Sequence, residues 1–171
     1  MATPIAVVLL TLQVSAPDIP PKTVHQAEGV AAFILSQAGV SVSWSARGDY
    51  HIQILNSPPH NLSPDAAGFA VLTPGDSGYA AISYPAVQQA ANGLQADPGD
   101  LLGAAIAHEI GHLLLGPKHS QTGLMQAHFG AHEIELAGRG ELLFDADQAA
   151  RIRKRLRPEP TSRPARAESL P

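Results

Sequence analysis

Between Ala107 and Met125 the chain reads AHEIGHLLLGPKHSQTGLM, with its histidines and glutamate spaced for chemistry. On a helix, His108 and His112 fall one turn apart on one face, because residues four apart are neighbours there. Two imidazoles so placed can grip one metal ion. Glu109 lies about a quarter turn round from His108, close enough to touch a water on that metal without taking a metal position. Gly116 and Pro117 then stop the helix, since glycine accepts the left-handed conformation past the last turn and proline cannot continue the ladder. The chain must turn, and His119 comes round as a third nitrogen ligand. Three protein ligands with a fourth position left to water is the arrangement of a catalytic zinc site rather than a structural one. Zinc would acidify that water, and Glu109 would take its proton as it attacks a carbonyl.

The element that must hold these groups is a helix with Asp97 as cap and Pro98 at its first position. From Leu101 to Leu115 it is apolar nearly all round, broken only by His108, Glu109, His112 and the small Gly103 and Gly111. A helix of that kind is buried. An unpaired buried polar group costs about 1–3 kcal/mol and a charge more, so metal coordination is the simplest reason for three of them. Downstream, Met125 taken alone is a core filler. His128 and His132 are again four apart, and Glu133 lies twenty-one residues past His112. The third ligand is therefore His119, or else Glu133 or one of these two histidines. His51 and His60 read as ordinary strand and loop positions.

The remaining chain supplies a sheet and its cover. Ile5 to Val14 can be a first, central strand, or Ile5 to Leu10 the apolar core of a signal peptide with Val14-Ser15-Ala16 as its small-residue exit, and without a positive n-region the strand is the better reading. Pro21 to Ala38 carries an apolar stripe at helical spacing, closed by Gly39. Val40 to Trp44, Tyr50 to Leu55, Gly68 to Thr73 and Tyr79 to Tyr84 read as strands, with Asn56 to Ala67 a loop and Pro74 to Gly78 a turn. Asp145 to Leu156 reads as a last helix, capped by Asp145 with Gln148 three residues on. Residues 158–171 read as a disordered tail, leaving 1–157 as one domain with a single core.

Composition narrows the function. The 171 residues contain no cysteine, which excludes disulfides, thiolate metal sites and thiol nucleophiles. The net charge of -4 points to neither nucleic acid nor an anionic surface as partner. Its distribution is uneven: residues 151–171 hold seven of the 11 Lys and Arg against two acids, leaving four bases against 13 acids before them. No run of about 18 apolar residues exists, so no membrane span is expected.

HEIGHLLLGPKHS followed by Met125 resembles the metzincin zinc peptidases, whose pattern is HExxHxxGxxH and then a Met-turn, and His119-Ser120 is most like their matrixin branch. The chain departs from that pattern by one residue, Gly116 falling four after His112 and His119 seven after it. No tyrosine follows Met125, and a cysteine-switch latency is impossible without cysteine. The resemblance implies an α+β, zincin-like single domain: a twisted mixed sheet of about five strands, two packed helices and a C-terminal helix. It implies a zinc-dependent endopeptidase with metal ligands His108, His112 and His119, Glu109 as general base and Met125 as an apolar floor. A peptide substrate would bind in extended form along the edge strand at Gly68 to Thr73. Two other readings stand beside it. One is a gluzincin-like small protease with Glu133 as third ligand, and the other a non-catalytic zinc-binding module that meets a partner through its cleft.

Overall fold

In the computed structural model, which describes residues 8–57, 68–73 and 77–157, five strands form one sheet in the order β2-β1-β3-β5-β4. These are β1 (Val8–Ser15), β2 (Val40–Trp44), β3 (Tyr50–Leu55), β4 (Gly68–Thr73) and β5 (Ser77–Ser83). Five helices complete the domain: α1 (Pro21–Gln37), α2 (Tyr84–Gly93), α3 (Pro98–Leu115), α4 (Ala131–Gly138) and α5 (Ala146–Leu156). The first four strands in the sheet pair in parallel, and only β4, at the edge, runs antiparallel to its neighbour β5. Of the signal-like run, the part from Val8 onward is strand; residues 1–7, His60, most of the expected loop at 56–67 and the tail at 158–171 lie outside the described residues.

A parallel pair needs a crossover, and α1 supplies it between β1 and β2. The chain then passes straight across β1. Val8 to Leu12 pair with β2 on one side, and Leu12 to Ser15 pair with β3 on the other. The crossing at residues 45–49 is pinned by Ser45 N–H donating to the Leu12 carbonyl at 2.8 Å and Asp49 N–H donating to the Thr11 carbonyl at 3.0 Å. Gly48 lies against the β1 backbone so closely that a Cβ there would sit 2.6 Å from Gln13 N. Only glycine lets one backbone pass another at that distance.

Alternation explains which face of the sheet is covered. Leu10 and Leu12 of β1, with Tyr50, Ile52 and Ile54 of β3, are buried, while the residues between them are more open. The buried set meets α1 and α3, which pack closely on each other. At Gly103 of α3 a Cβ would lie 2.5 Å from Val30 Cβ and 2.8 Å from the Ala27 carbonyl oxygen of α1. The missing side chain sets the helix separation. Each fully buried Leu or Ile contributes about 1.5–3 kcal/mol, and α3 alone buries Leu101, Leu102, Ile106, Ile110, Leu113 and Leu114. As expected, α3 is buried on nearly every side, touching α1, α2, α4, α5, β4 and β5. The sheet, α1, α3 and α5 fall close to the bounds expected of them. Helices α2 and α4 were not expected, and β5 starts at Ser77 and yields Tyr84 to α2.

Candidate metal centre

Helix α3 begins as the sequence implies: the Asp97 side chain accepts the Gly99 N–H at 2.7 Å, with Pro98 in the first turn. Three turns later, His108 and His112 project from one face. Their Nε2 atoms are 3.0 Å apart. The helix ends at Gly116, whose φ of 95° is in the region that favours glycine. α3 runs on to Leu115, and the chain reverses at Gly116. His119 returns with its Nε2 3.1 Å from that of His112. Among the described residues these three form the group that could hold a metal ion, their ligand atoms all within 4.8 Å of one another.

The tautomers decide what such a cluster needs. His108 Nδ1 lies 2.7 Å from the Leu124 carbonyl oxygen and His112 Nδ1 lies 3.1 Å from the Gly116 carbonyl oxygen. A carbonyl only accepts, so both Nδ1 atoms must carry the proton. In the neutral rings each Nε2 is then a bare lone pair, and two of them face each other at hydrogen-bonding distance. Protonating a ring would relieve this, but burial, reinforced by the neighbouring His112 and His119, pushes His108 down to about 4. Burial and the proximity of His112 and His128 lower His119 too. Three convergent imidazoles, two of them with Nδ1 anchored on a carbonyl so that Nε2 offers its lone pair, fit a divalent metal that favours nitrogen.

The loop after His119 packs back on α3. Ser120 N–H donates to the Met125 carbonyl at 2.8 Å, closing residues 120–126 into a tight turn. Met125 is fully buried and packs on Gly111, where a Cβ would sit 2.3 Å from Met125 Sδ. Leu124, next to it, is the carbonyl that anchors His108. Met125 thus packs against α3 at Gly111, one residue from the carbonyl that anchors His108.

The Glu109 side chain reaches the sheet edge at β4 and lines the same cleft as the imidazoles. It is buried, its Oε2 has no hydrogen-bond partner among the described residues, and burial pushes its carboxyl up to about 8. Its neighbour is Gly68, the first residue of β4. The four groups open into a cleft of about 1200 Å³ between β4, α2 and the start of α4. Val71 and Leu94, two of the exposed large apolar residues, stand on its rim.

The other sequence candidates lie elsewhere or do other work. Glu133 accepts from Gln126 Nε2 and from the Gly130 N–H, both at 3.0 Å, so its carboxylate closes the first turn of α4 instead of joining the imidazoles. His128 is exposed on the cleft wall, and His132 is exposed on α4. His51 is on β3 with its ring edge-on to Tyr79. Sequence reasoning missed Gly68 and the Leu124 carbonyl, neither of which carries a chemical signature.

No protein-family model matches the chain, and no curated protein does. Among solved structures, archaemetzincin of Methanopyrus kandleri is similar with a TM-score of 0.55 and 16% identity, over 87% of this chain and 95% of that one. The fold is thus the expected metzincin-like, zincin-type α+β domain, and it carries a histidine triad. That likeness does not single out the matrixin branch.

Proposed function

We propose that the protein is a zinc-dependent endopeptidase in which His108, His112 and His119 hold the metal and Glu109 is the general base. The observation that carries this reading is the convergence of three Nε2 atoms, two of them on rings whose Nδ1 protons are committed to carbonyls. Zinc held there supplies Lewis acidity towards a scissile carbonyl and lowers the pKa of water. The chain's own residues do the rest. Glu109, its carboxyl buried one residue from His108, would take a proton from water and return it to the leaving amine. The edge strand β4, unpaired on its outer side among the described residues, would offer backbone groups to an extended peptide, which strand addition would align across the cleft.

A metal kept only for stability would have no use for a buried carboxylate one residue from a ligand, which speaks against the non-catalytic module. A mixed peptide library incubated with the zinc-loaded protein tests the reading. Internal cleavage that stops on chelation is the expected result. Zinc-loaded protein that leaves every peptide intact would remove the peptidase assignment.

A further inference from the structure

Glu109 raises a question of position. A general base must hold its oxygens to a fraction of an ångström, yet Oε2 has no hydrogen-bond partner among the described residues. Packing has to hold it. The surface it packs on is Gly68, which pairs with Ile82 at the start of the edge strand. A Cβ built there would lie 2.5 Å from Glu109 Oε1, closer than real Cβ atoms come, and 3.0 Å from its carboxyl carbon, tighter than most real contacts. The absent side chain is the space that the carboxylate fills.

We propose that Gly68 is a positioning residue for Glu109: its bare backbone forms the seat that aims the carboxylate into the cleft. The inference rests on the proposed peptidase reading for its consequence, but its geometry stands on the contact alone. Gly68 lines the same cleft as the histidines and belongs to the strand along which a peptide would align. One segment therefore registers the substrate and fixes the base. A methyl group at position 68 would push the carboxylate off its seat while leaving the three imidazoles, which hang from α3 and the following turn, where they are.

Position 68 also lies close to the sheet: the same Cβ would be 2.9 Å from the Ala81 carbonyl oxygen. A structural and a positioning role must therefore be separated. The test is a double-mutant cycle of Gly68→Ala and Glu109→Ala on the full chain, read by thermal unfolding without metal, together with steady-state kinetics and zinc content of the loaded Gly68→Ala protein. Glu109→Ala removes the carboxylate and leaves the Ala81 carbonyl. The expected result is a clear fall in Tm for Gly68→Ala in the parent and a smaller one in the Glu109→Ala background. If Gly68→Ala fails to fold in the parent and folds beside Glu109→Ala, the coupling is shown more strongly still. In the loaded enzyme, kcat should fall about 100-fold, the size of effect known for a 1 Å misplacement. KM and zinc content should stay close to those of the parent.

Equal losses of Tm in both backgrounds, or failure to fold in both, would assign Gly68 to the sheet and overturn the proposal. So would a parental kcat in Gly68→Ala. If the parent cleaves no peptide, the peptidase reading fails and the stability cycle alone decides the seat.

Discussion

Replacing Gly111 by alanine should disturb metal binding without touching a ligand. The new Cβ would lie 2.3 Å from Met125 Sδ, 3.1 Å from Met125 Cε and 2.9 Å from Phe144 Cε1. Comfortable contact between such atoms begins at about 3.5 Å, so Met125 must retreat by more than an ångström. Two terms oppose each other. Gly to Ala in a helix interior gains about 1 kcal/mol, and overpacking a tight core costs about 1–3 kcal/mol. The net loss is up to about 2 kcal/mol, or a fall in Tm of roughly 4–8 °C for a domain of this size.

The larger consequence is for zinc. Met125 is joined to Leu124, whose carbonyl fixes the His108 ring at 2.7 Å, and losing such an outer partner costs roughly 10–100-fold in metal affinity. Competition against a chromophoric chelator measures this, and thermal unfolding of the metal-free protein measures the packing term. Met125→Ala alone should cost about 2–5 kcal/mol by opening a cavity. In the double variant the two changes should offset each other by about 1–3 kcal/mol, because the alanine methyl enters space that the thioether vacates. Strictly additive losses, or a Gly111→Ala protein that is more stable than the parent and binds zinc as tightly, would refute the reasoning.

Three further outcomes follow from the site. His119→Ala should weaken zinc binding by more than the roughly 100-fold expected of an outer partner, whereas Glu133→Ala should leave it near the parental value; the same competition assay distinguishes them. Hydrogen bonds from Gln126 and Gly130 hold the Glu133 carboxyl below the usual carboxylate range. A lowered folded-state value means its contribution to stability is present above that range and is lost as pH falls through the lowered value. The effect is small for so exposed a group, and urea midpoints from neutral to acid pH should fall less steeply in Glu133→Gln than in the parent. Chelation of the loaded protein should lower its Tm, because a ligand that binds only the folded state stabilises it by mass action.

Local signals were legible in the sequence where the physics is local. The Asp97 cap and Pro98 marked the start of α3, and Asp145 with Gln148 marked a capping box that the structure reproduces in both directions. The four strands expected after α1 followed from alternation and turn residues, and the apolar all-round pattern of α3 implied its burial. Helix α2 was missed although Pro85 in its first turn and buried Val87 and Ala91, four apart, were there to read. The strand pattern of β5 runs straight into it and hid the change of period. Helix α4 is short and begins at Gly130, with Glu133 reaching back to the Gly130 N–H. The same Glu133 had looked like a candidate ligand, because spacing alone cannot tell a cap from a ligand.

The imidazoles on α3 were fixed by helical geometry, since four residues make one turn. His119 depended on how Gly116 turns the chain. What sequence could not supply were contacts between distant segments: Leu124 on His108, Met125 on Gly111, Gly68 on Glu109. Each involves a backbone atom, an absent side chain or a flexible thioether, and only the packed fold brings them together.

Whether Glu109 works as the base at a metal held by three histidines is decided by comparing the parent with Glu109→Gln. Parent and Glu109→Gln are loaded with zinc, their metal content is measured, and both are incubated with the same peptide library. About one zinc per chain is expected in each, as three histidines on an open site require, with cleavage by the parent alone. A Glu109→Gln protein that cleaves as fast as the parent, or a parent that binds no zinc, would contradict that role.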